Sequence, residues 1–158
     1  MQNFKQTNLD TNILKALLEM GFETPTPIQA KTIPHLMNSN LDLIATAQTG
    51  TGKTAAFGLP SIHLTNLKYN DTQTLVLCPT RELCIQIAKD LAKYSKYING
   101  LNILAVYGGT NIEKQIKSLK KGVHIIIGTP GRSKDLLFRK KLNLNSLKRI
   151  ILDESDEM

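Results

Sequence analysis

Lys53 and Thr54 close an octet, Ala47-Gln48-Thr49-Gly50-Thr51-Gly52-Lys53-Thr54, whose residue types suit the capture of a polyphosphate. Gly50 and Gly52 permit a tight wrap of backbone that turns several N–H groups towards one anion. A helix starting here adds the positive end of its dipole. Lys53 brings a full charge to the β and γ phosphates, and Thr54 brings a hydroxyl to Mg2+. The octet begins with Ala47, where the usual G-x-x-x-x-G-K-S/T pattern has glycine. Far downstream, the apolar run from Arg149 ends in Asp153-Glu154. An acidic residue there can hold Mg2+ directly or through water, and the adjacent glutamate can orient and deprotonate a water for attack on the γ phosphate.

Three further segments share a second chemistry. Pro79-Thr80-Arg81-Glu82-Leu83, Gly108-Gly109-Thr110 and Thr129-Pro130-Gly131-Arg132 offer small residues, backbone amides and hydroxyls, with an arginine in two of them. Any one alone reads as an ordinary strand-to-helix turn. Together on one rim they suit a row of phosphates.

The elements that must carry these residues follow from hydrophobic patterning. Apolar strand-like runs cover Leu41–Ala45, Leu75–Cys78, Ile103–Tyr107, Val123–Gly128 and Arg149–Asp153. Helical stretches lie between them, near Ala55–Leu67, Arg81–Tyr97, Ile112–Lys120 and Gly131–Phe138. Continuous apolar strands alternating with helices predict an α/β fold, a mostly parallel sheet with helices on both faces in three layers. Ligands of such sheets sit at the carboxyl ends of strands, where each motif falls. Upstream, Asp10 reads as an N-cap, with Ile13, Leu14, Leu17 and Leu18 at helical spacing and Gly21 as the stop. Pro27 suits the first position of a second helix. On residue type alone, Phe22 reads as a core residue and Gln29 as a solvated one.

The 158 residues suit one domain, with 41% apolar and 21% charged side chains. A net charge of +7 favours a polyanionic partner such as nucleic acid. Aromatic content of 5%, without Trp, argues for a phosphate-reading surface and against an aromatic base-stacking platform. Cys78 and Cys84 have no metal or redox spacing and read as buried thiols. His35, His63 and His124 are scattered and read as packing or surface residues. No apolar run reaches membrane-spanning length and no secretory leader is evident, so a cytoplasmic location and no membrane partner are expected.

With these motifs in order, nearly the whole chain resembles the N-terminal RecA-like domain of DEAD-box RNA helicases. The resemblance implies a RecA-like P-loop NTPase fold over 1–158, incomplete at its C-terminus, with an adenine-recognition region over 2–30. It makes Phe22, Thr24 and Gln29 the adenine site, which replaces the reading of Phe22 and Gln29 from type alone, and Phe4 the isolated upstream aromatic. Ala47 to Thr54 resembles the nucleotide loop, and Asp153-Glu154-Ser155-Asp156 the signature that names the family. Pro79, Thr80, Arg81, Gly108, Gly109, Thr129, Pro130, Gly131 and Arg132 resemble the segments that hold the RNA sugar-phosphate backbone. ATP and Mg2+ are the implied cofactors, with Lys53, Asp153 and Glu154 catalytic and Thr54 and Asp153 on the metal.

The family usually has Ala at Ser155 and an aliphatic residue at Ser133, so Ser133 is expected to loosen its helix. The chain stops at Met158, before the strand with the family's Ser-Ala-Thr segment and the second RecA-like domain that the resemblance makes necessary for activity. A monomer that binds nucleotide, hydrolyses it very slowly, and has an exposed apolar edge and reduced stability is therefore expected. The alternatives are a non-catalytic fragment that binds RNA or a partner, and a P-loop ATPase or DNA helicase outside this family.

Overall fold

The computed structural model describes residues 3–48 and 50–158. They form two compact units. The first comprises the segment ending at Leu64 together with Asp90–Asn99. Asp10 caps α1 (Thr11–Glu19), its carboxylate accepting from the Asn12 amide at 2.7 Å. Ile13, Ala16 and Leu17, at one-face spacing, are buried. Gly21, at φ +74°, turns the chain out of the helix. α2 (Pro27–Asn38) begins at Pro27 as expected and packs on α3 (Lys53–His63). Every residue of α3 from Ala55 to Ile62 is buried, as befits a helix apolar on all sides. At Gly58 an added Cβ would stand 2.8 Å from Leu91 Cδ1, so glycine admits that neighbour. The His63 Nδ1 accepts from the Asp10 amide at 3.0 Å, linking the start of α1 to the end of α3.

One expected element is absent from this unit. The run Leu41–Ala45 forms no strand: it is exposed throughout, and Ile44 is 95% exposed. Among the described residues no strand ladder includes it. Residue type suited it to a buried strand, but a strand exists only through a paired neighbour.

The second unit, Thr65–Lys89 with Gly100–Met158, holds the sheet. β1 (Thr74–Leu77), β2 (Ile103–Val106), β3 (Ile125–Gly128) and β4 (Arg149–Leu152) lie in the order β2-β3-β1-β4, all parallel. β2, β3 and β4 are slightly shorter than their apolar runs, and β1 begins one residue before its own. Leu75, Val106 and Ile126 face one way and pack with Ile116 of α5 (Ile112–Lys120), Leu136 of α6 (Pro130–Phe138) and Leu142. Val76, Ile125 and Ile127 face the other way and are fully buried. Cys84, near the start of α4 (Arg81–Tyr94), reaches this layer, its Sγ donating to the Ile127 carbonyl at 3.1 Å. The central strands β1 and β3 are thus covered on both faces, as their unbroken apolar runs require. Beyond β4 no further strand is present among the described residues, and Ile150 and Leu152 are largely exposed.

Both cysteines are fully buried. Contact with the Cys84 sulfur, and then burial, push the Cys78 thiol far above its ordinary range.

Ser133 is 3% exposed, and its hydroxyl has no hydrogen-bond partner among the described residues. It fills the space that Gly128 leaves: a Cβ on Gly128 would lie 2.2 Å from Ser133 Oγ and 2.9 Å from Val106 Cγ2. The serine therefore packs tightly against the strand end, where looser packing had been expected. Gly128→Ala lowers stability by about 1–3 kcal/mol in urea denaturation. Ser133→Ala, which removes an unpaired buried hydroxyl, raises it by up to about 1 kcal/mol. Combined with Gly128→Ala, it restores part of the loss.

Candidate nucleotide and nucleic-acid site

In the first unit, the start of α2 and the loop before α3 hold each other. Thr26 Oγ1 donates to the Thr51 carbonyl at 2.8 Å, and Gln29 Nε2 donates to the Gly52 carbonyl at 3.1 Å. Gln29 Oε1 accepts from the Thr26 amide at 3.0 Å, completing a capping box at the start of α2. Two loop carbonyls are thereby tied back to α2. Gly50 and Gly52 take left-handed φ of +82° and +90°, and a Cβ on Gly52 would lie 2.3 Å from Gln29 Nε2. Gly52 is also the N-cap of α3, and no side chain caps the helix, so its first-turn amides are left for a ligand. Lys53 and Thr54 are half-buried in that first turn, while Gln48 and Gly50 are exposed. Ala47 lines an open pocket of about 270 Å³ with Pro27, Ile28, Lys31, Thr46 and Thr51. Thr49 lies outside the described residues.

Gln29 is 3% exposed, so its type-based reading as a solvated residue fails. Phe22 is half-buried, its ring 6.2 Å from that of Tyr94 and tilted by 53°. Thr24 is exposed, and Phe4 is buried with its amide donating to the Glu23 carbonyl at 3.4 Å.

In the second unit, the three hydroxyl- and glycine-rich loops follow β1, β2 and β3, which are neighbours in the parallel sheet. They share its carboxyl rim with Asp153 and Glu154 after β4. Pro79 is half-buried, and Thr80 starts α4, its Oγ1 accepting from the Leu83 amide at 3.2 Å. Arg81 is exposed, with its guanidinium carbon 5.1 Å from the Tyr107 ring centroid. Its Nη1 would stand 3.3 Å from a Cβ on Gly109, which has φ +76°; Gly108 is exposed beside it. Arg132 is engaged differently. It donates to Gln115 Oε1 at 3.0 Å and to the Thr110 carbonyl at 3.2 Å. Gln115 in turn donates to the Tyr107 carbonyl and to Thr110 Oγ1. Arg132 thus braces the glycine loop, whereas Arg81 projects from the rim. Thr129 caps α6 without a side-chain bond, and Pro130 and Gly131 are exposed at its start.

The Asp153 amide donates to the Leu77 carbonyl at 2.9 Å, extending the β1–β4 ladder, and its side chain is buried. Glu154 then adopts φ 53°, ψ 49°, a conformation rare for a residue with a Cβ and a mark of functional positions. It leaves the strand direction there. Ser155 is exposed, so its hydroxyl meets solvent.

Sequence reasoning missed Thr26, Tyr107 and Gln115. Thr26 had a signal, since Thr26-Pro27-Ile28-Gln29 fits the capping-box pattern. The other two act through contacts with no local pattern.

Residues 26–158 match the DEAD/DEAH box helicase family, and the chain belongs to it. Over its full length it is 52% identical to the ATP-dependent RNA helicase CshA of Listeria monocytogenes, of which it spans 30%. It is 49% identical to the DEAD-box ATP-dependent RNA helicase CshA of Geobacillus kaustophilus, of which it spans 33%. The chain therefore covers about a third of these relatives. A DEAD box protein from the hyperthermophile Methanococcus jannaschii matches all of the chain with a TM-score of 0.94 and 46% identity, the chain covering 43% of it. S. cerevisiae Dbp5 bound to RNA and ADP BeF3 matches with a TM-score of 0.90 and 32% identity, the chain covering 39% of it. The α/β, RecA-like fold read from the sequence is that of these neighbours.

Gln29→Ala removes two hydrogen bonds from a buried position. It lowers the stability of the nucleotide-free chain by about 1–2 kcal/mol, read by thermal or urea denaturation. Gln29→Glu, which keeps the acceptor for Thr26 but sets a buried carboxylate oxygen against the Gly52 carbonyl, costs at least as much at neutral pH.

Proposed function

We propose that the chain is the ATP-binding part of a cytoplasmic ATP-dependent RNA helicase that couples ATP binding and hydrolysis to RNA duplex unwinding or remodelling of RNA–protein complexes. The observation that carries this reading is the uncapped start of α3, with Lys53 and Thr54 in its first turn and the preceding Thr51 and Gly52 carbonyls held by Thr26 and Gln29. Such an arrangement offers backbone donors, a dipole end and a full charge to one polyphosphate.

Gln29 also has what adenine recognition needs. Its amide nitrogen spends one N–H on Gly52 and its oxygen one lone pair on Thr26. One donor and one acceptor remain for the N7 and N6 of adenine. Phe22 supplies a ring to stack on the base, and Thr24 lies between them in sequence. Thr54 and Asp153 would hold Mg2+, partly through water, and their hydroxyl and carboxylate are donors that hard cation favours. The ion supplies charge neutralisation at the β and γ phosphates. Glu154 orients and deprotonates the attacking water. Arg81 meets RNA phosphates directly, and the loops at Pro79, Thr80, Gly108, Gly109, Thr129, Pro130, Gly131 and Arg132 shape the same backbone track.

Turnover requires a second RecA-like domain. An arginine supplied to the γ phosphate contributes about 10³–10⁵ in rate to related phosphoryl transfers, so this chain, as a monomer, binds nucleotide and hydrolyses it very slowly.

Fluorescent ADP with Mg2+, competed by ATP and GTP, tests the reading. ATP competes and GTP competes poorly, and Lys53→Ala weakens binding about tenfold or more through loss of a charged phosphate contact. Equal competition by GTP, or an unchanged Lys53→Ala variant, overturns it.

A further inference from the structure

The positive charge of the chain is concentrated in one stretch. Eleven of its twenty Lys and Arg residues lie between positions 111 and 149, with two of its thirteen acidic residues. The remaining residues carry nine basic and eleven acidic side chains, so the basic surplus belongs to this stretch alone. It occupies α5, α6 and the turn that follows. Ile116 and Leu136 of these helices point into the core. Outward stand Lys114, Lys117, Lys120 and Lys121 on the first, and Lys134, Arg139, Lys140 and Lys141 on the second, all exposed. Among the described residues only Arg139 of these eight forms an ion pair, with Asp135 at 2.7 Å.

A second observation singles out the end of α6. Phe138 is 76% exposed, and Lys134 Nζ lies 5.6 Å from its ring centroid. The turn beyond it is fixed. Lys140 takes a left-handed φ of 55°, the Lys141 and Leu142 amides both donate to the Leu136 carbonyl at 2.9 and 3.2 Å, and buried Leu142 anchors the turn. Cations at a helix C-terminus complement its dipole, but that effect asks for no exposed ring. An exposed aromatic ring among unpaired cations is the chemistry that holds single-stranded nucleic acid, with a base on the ring and phosphates on the cations.

We infer that the C-terminal end of α6 and its turn form a second RNA-contact site, with Phe138 as a stacking platform and Lys134, Lys140 and Lys141 as phosphate contacts. The inference rests on the RNA-binding reading above and adds base contact to a track otherwise made of backbone contacts. The low aromatic content does not oppose it, because one ring suffices for one base. α6 carries Phe138 about 12 Å from the Pro130 end of the helix, within reach of a strand that continues past the Thr129 loop.

The test is fluorescence anisotropy of a fluorescein-labelled oligouridylate over a salt series. The variants are Phe138→Ser, the double Lys140→Gln/Lys141→Gln, Arg81→Gln, and Lys68→Gln as an exposed lysine outside the patch. Phe138→Ser weakens binding about fivefold or more and leaves the salt slope unchanged. The double lysine variant reduces the slope of log affinity against log salt by about 1.4, the value for two single-strand phosphate contacts. Neither changes the thermal melt, since all three side chains are exposed. Loss of affinity in Arg81→Gln with no change in the patch variants overturns the second site and leaves the proposed function standing. Absence of any oligouridylate binding overturns both. Labelled polyglutamate that binds through the patch, with RNA binding indifferent to it, overturns the inference in favour of an acidic protein surface.

Discussion

The capping box at the start of α2 is the constraint on which the glycine-rich loop before α3 depends. A glycine-rich loop is floppy by composition, and nothing in the loop itself decides which way its peptide groups face. Thr26 and Gln29 decide it. Each is already committed to starting α2, and each also donates one hydrogen bond to a loop carbonyl, Thr51 or Gly52. With the oxygens fixed on one side, the N–H groups that follow enter α3 unopposed. Two glycines make this possible without strain, and at Gly52 any side chain would collide with the glutamine that holds the loop. A residue that the family resemblance assigns to base recognition is thus a structural part of the phosphate loop as well. The preorganisation that makes binding efficient comes from helix capping, an interaction found in proteins with no ligand at all.

The rim of the sheet divides its labour in a comparable way. Two arginines of similar local setting do different work. Arg132 is consumed by Gln115 and the Thr110 carbonyl, holding one loop in shape, while Arg81 lies across Tyr107 with its charge outward. Substituting Arg132 would loosen the backbone of the glycine loop, and substituting Arg81 would remove an outward charge from the rim. The acidic pair after β4 repeats the theme. The Asp153 backbone is still part of the ladder, and Glu154 leaves it through a left-handed conformation, so the chain turns between the two carboxylates.

Much of this was legible in the sequence because the motifs fall at strand ends, and strand ends are marked by a change from apolar to small and polar residues. Four of the five expected strands formed, and the helices began at or near Asp10, Pro27, Arg81 and Ile112 as their caps and prolines indicated. α3 began two residues earlier than its apolar pattern, since Gly52 rather than an apolar residue sets its start. Leu41–Ala45 misled because residue type reports a wish for burial and says nothing of a partner. Ser133 misled for the opposite reason: its effect depends on Gly128 across the gap, five positions back in sequence but directly opposed in space. Glu154 gave no warning, since its side chain is not one that prefers a left-handed backbone.

The strand order has a further meaning for how the chain reaches this state. β2 and β3 are joined by the short crossover through α5, so they can pair as soon as both exist. β1 cannot. It precedes both in sequence, yet its partners are β3 and β4, and the contacts at its start reach across 51 residues to one and 75 to the other. Parallel pairings at such separations close large loops before they are rewarded, which makes them slow. During synthesis the first-made of these four strands therefore stays unpaired until β3 has emerged, and paired on one side only until β4 has. Its pairing with β4 closes the longer of the two loops, and the acidic pair that follows β4 takes its place with that pairing.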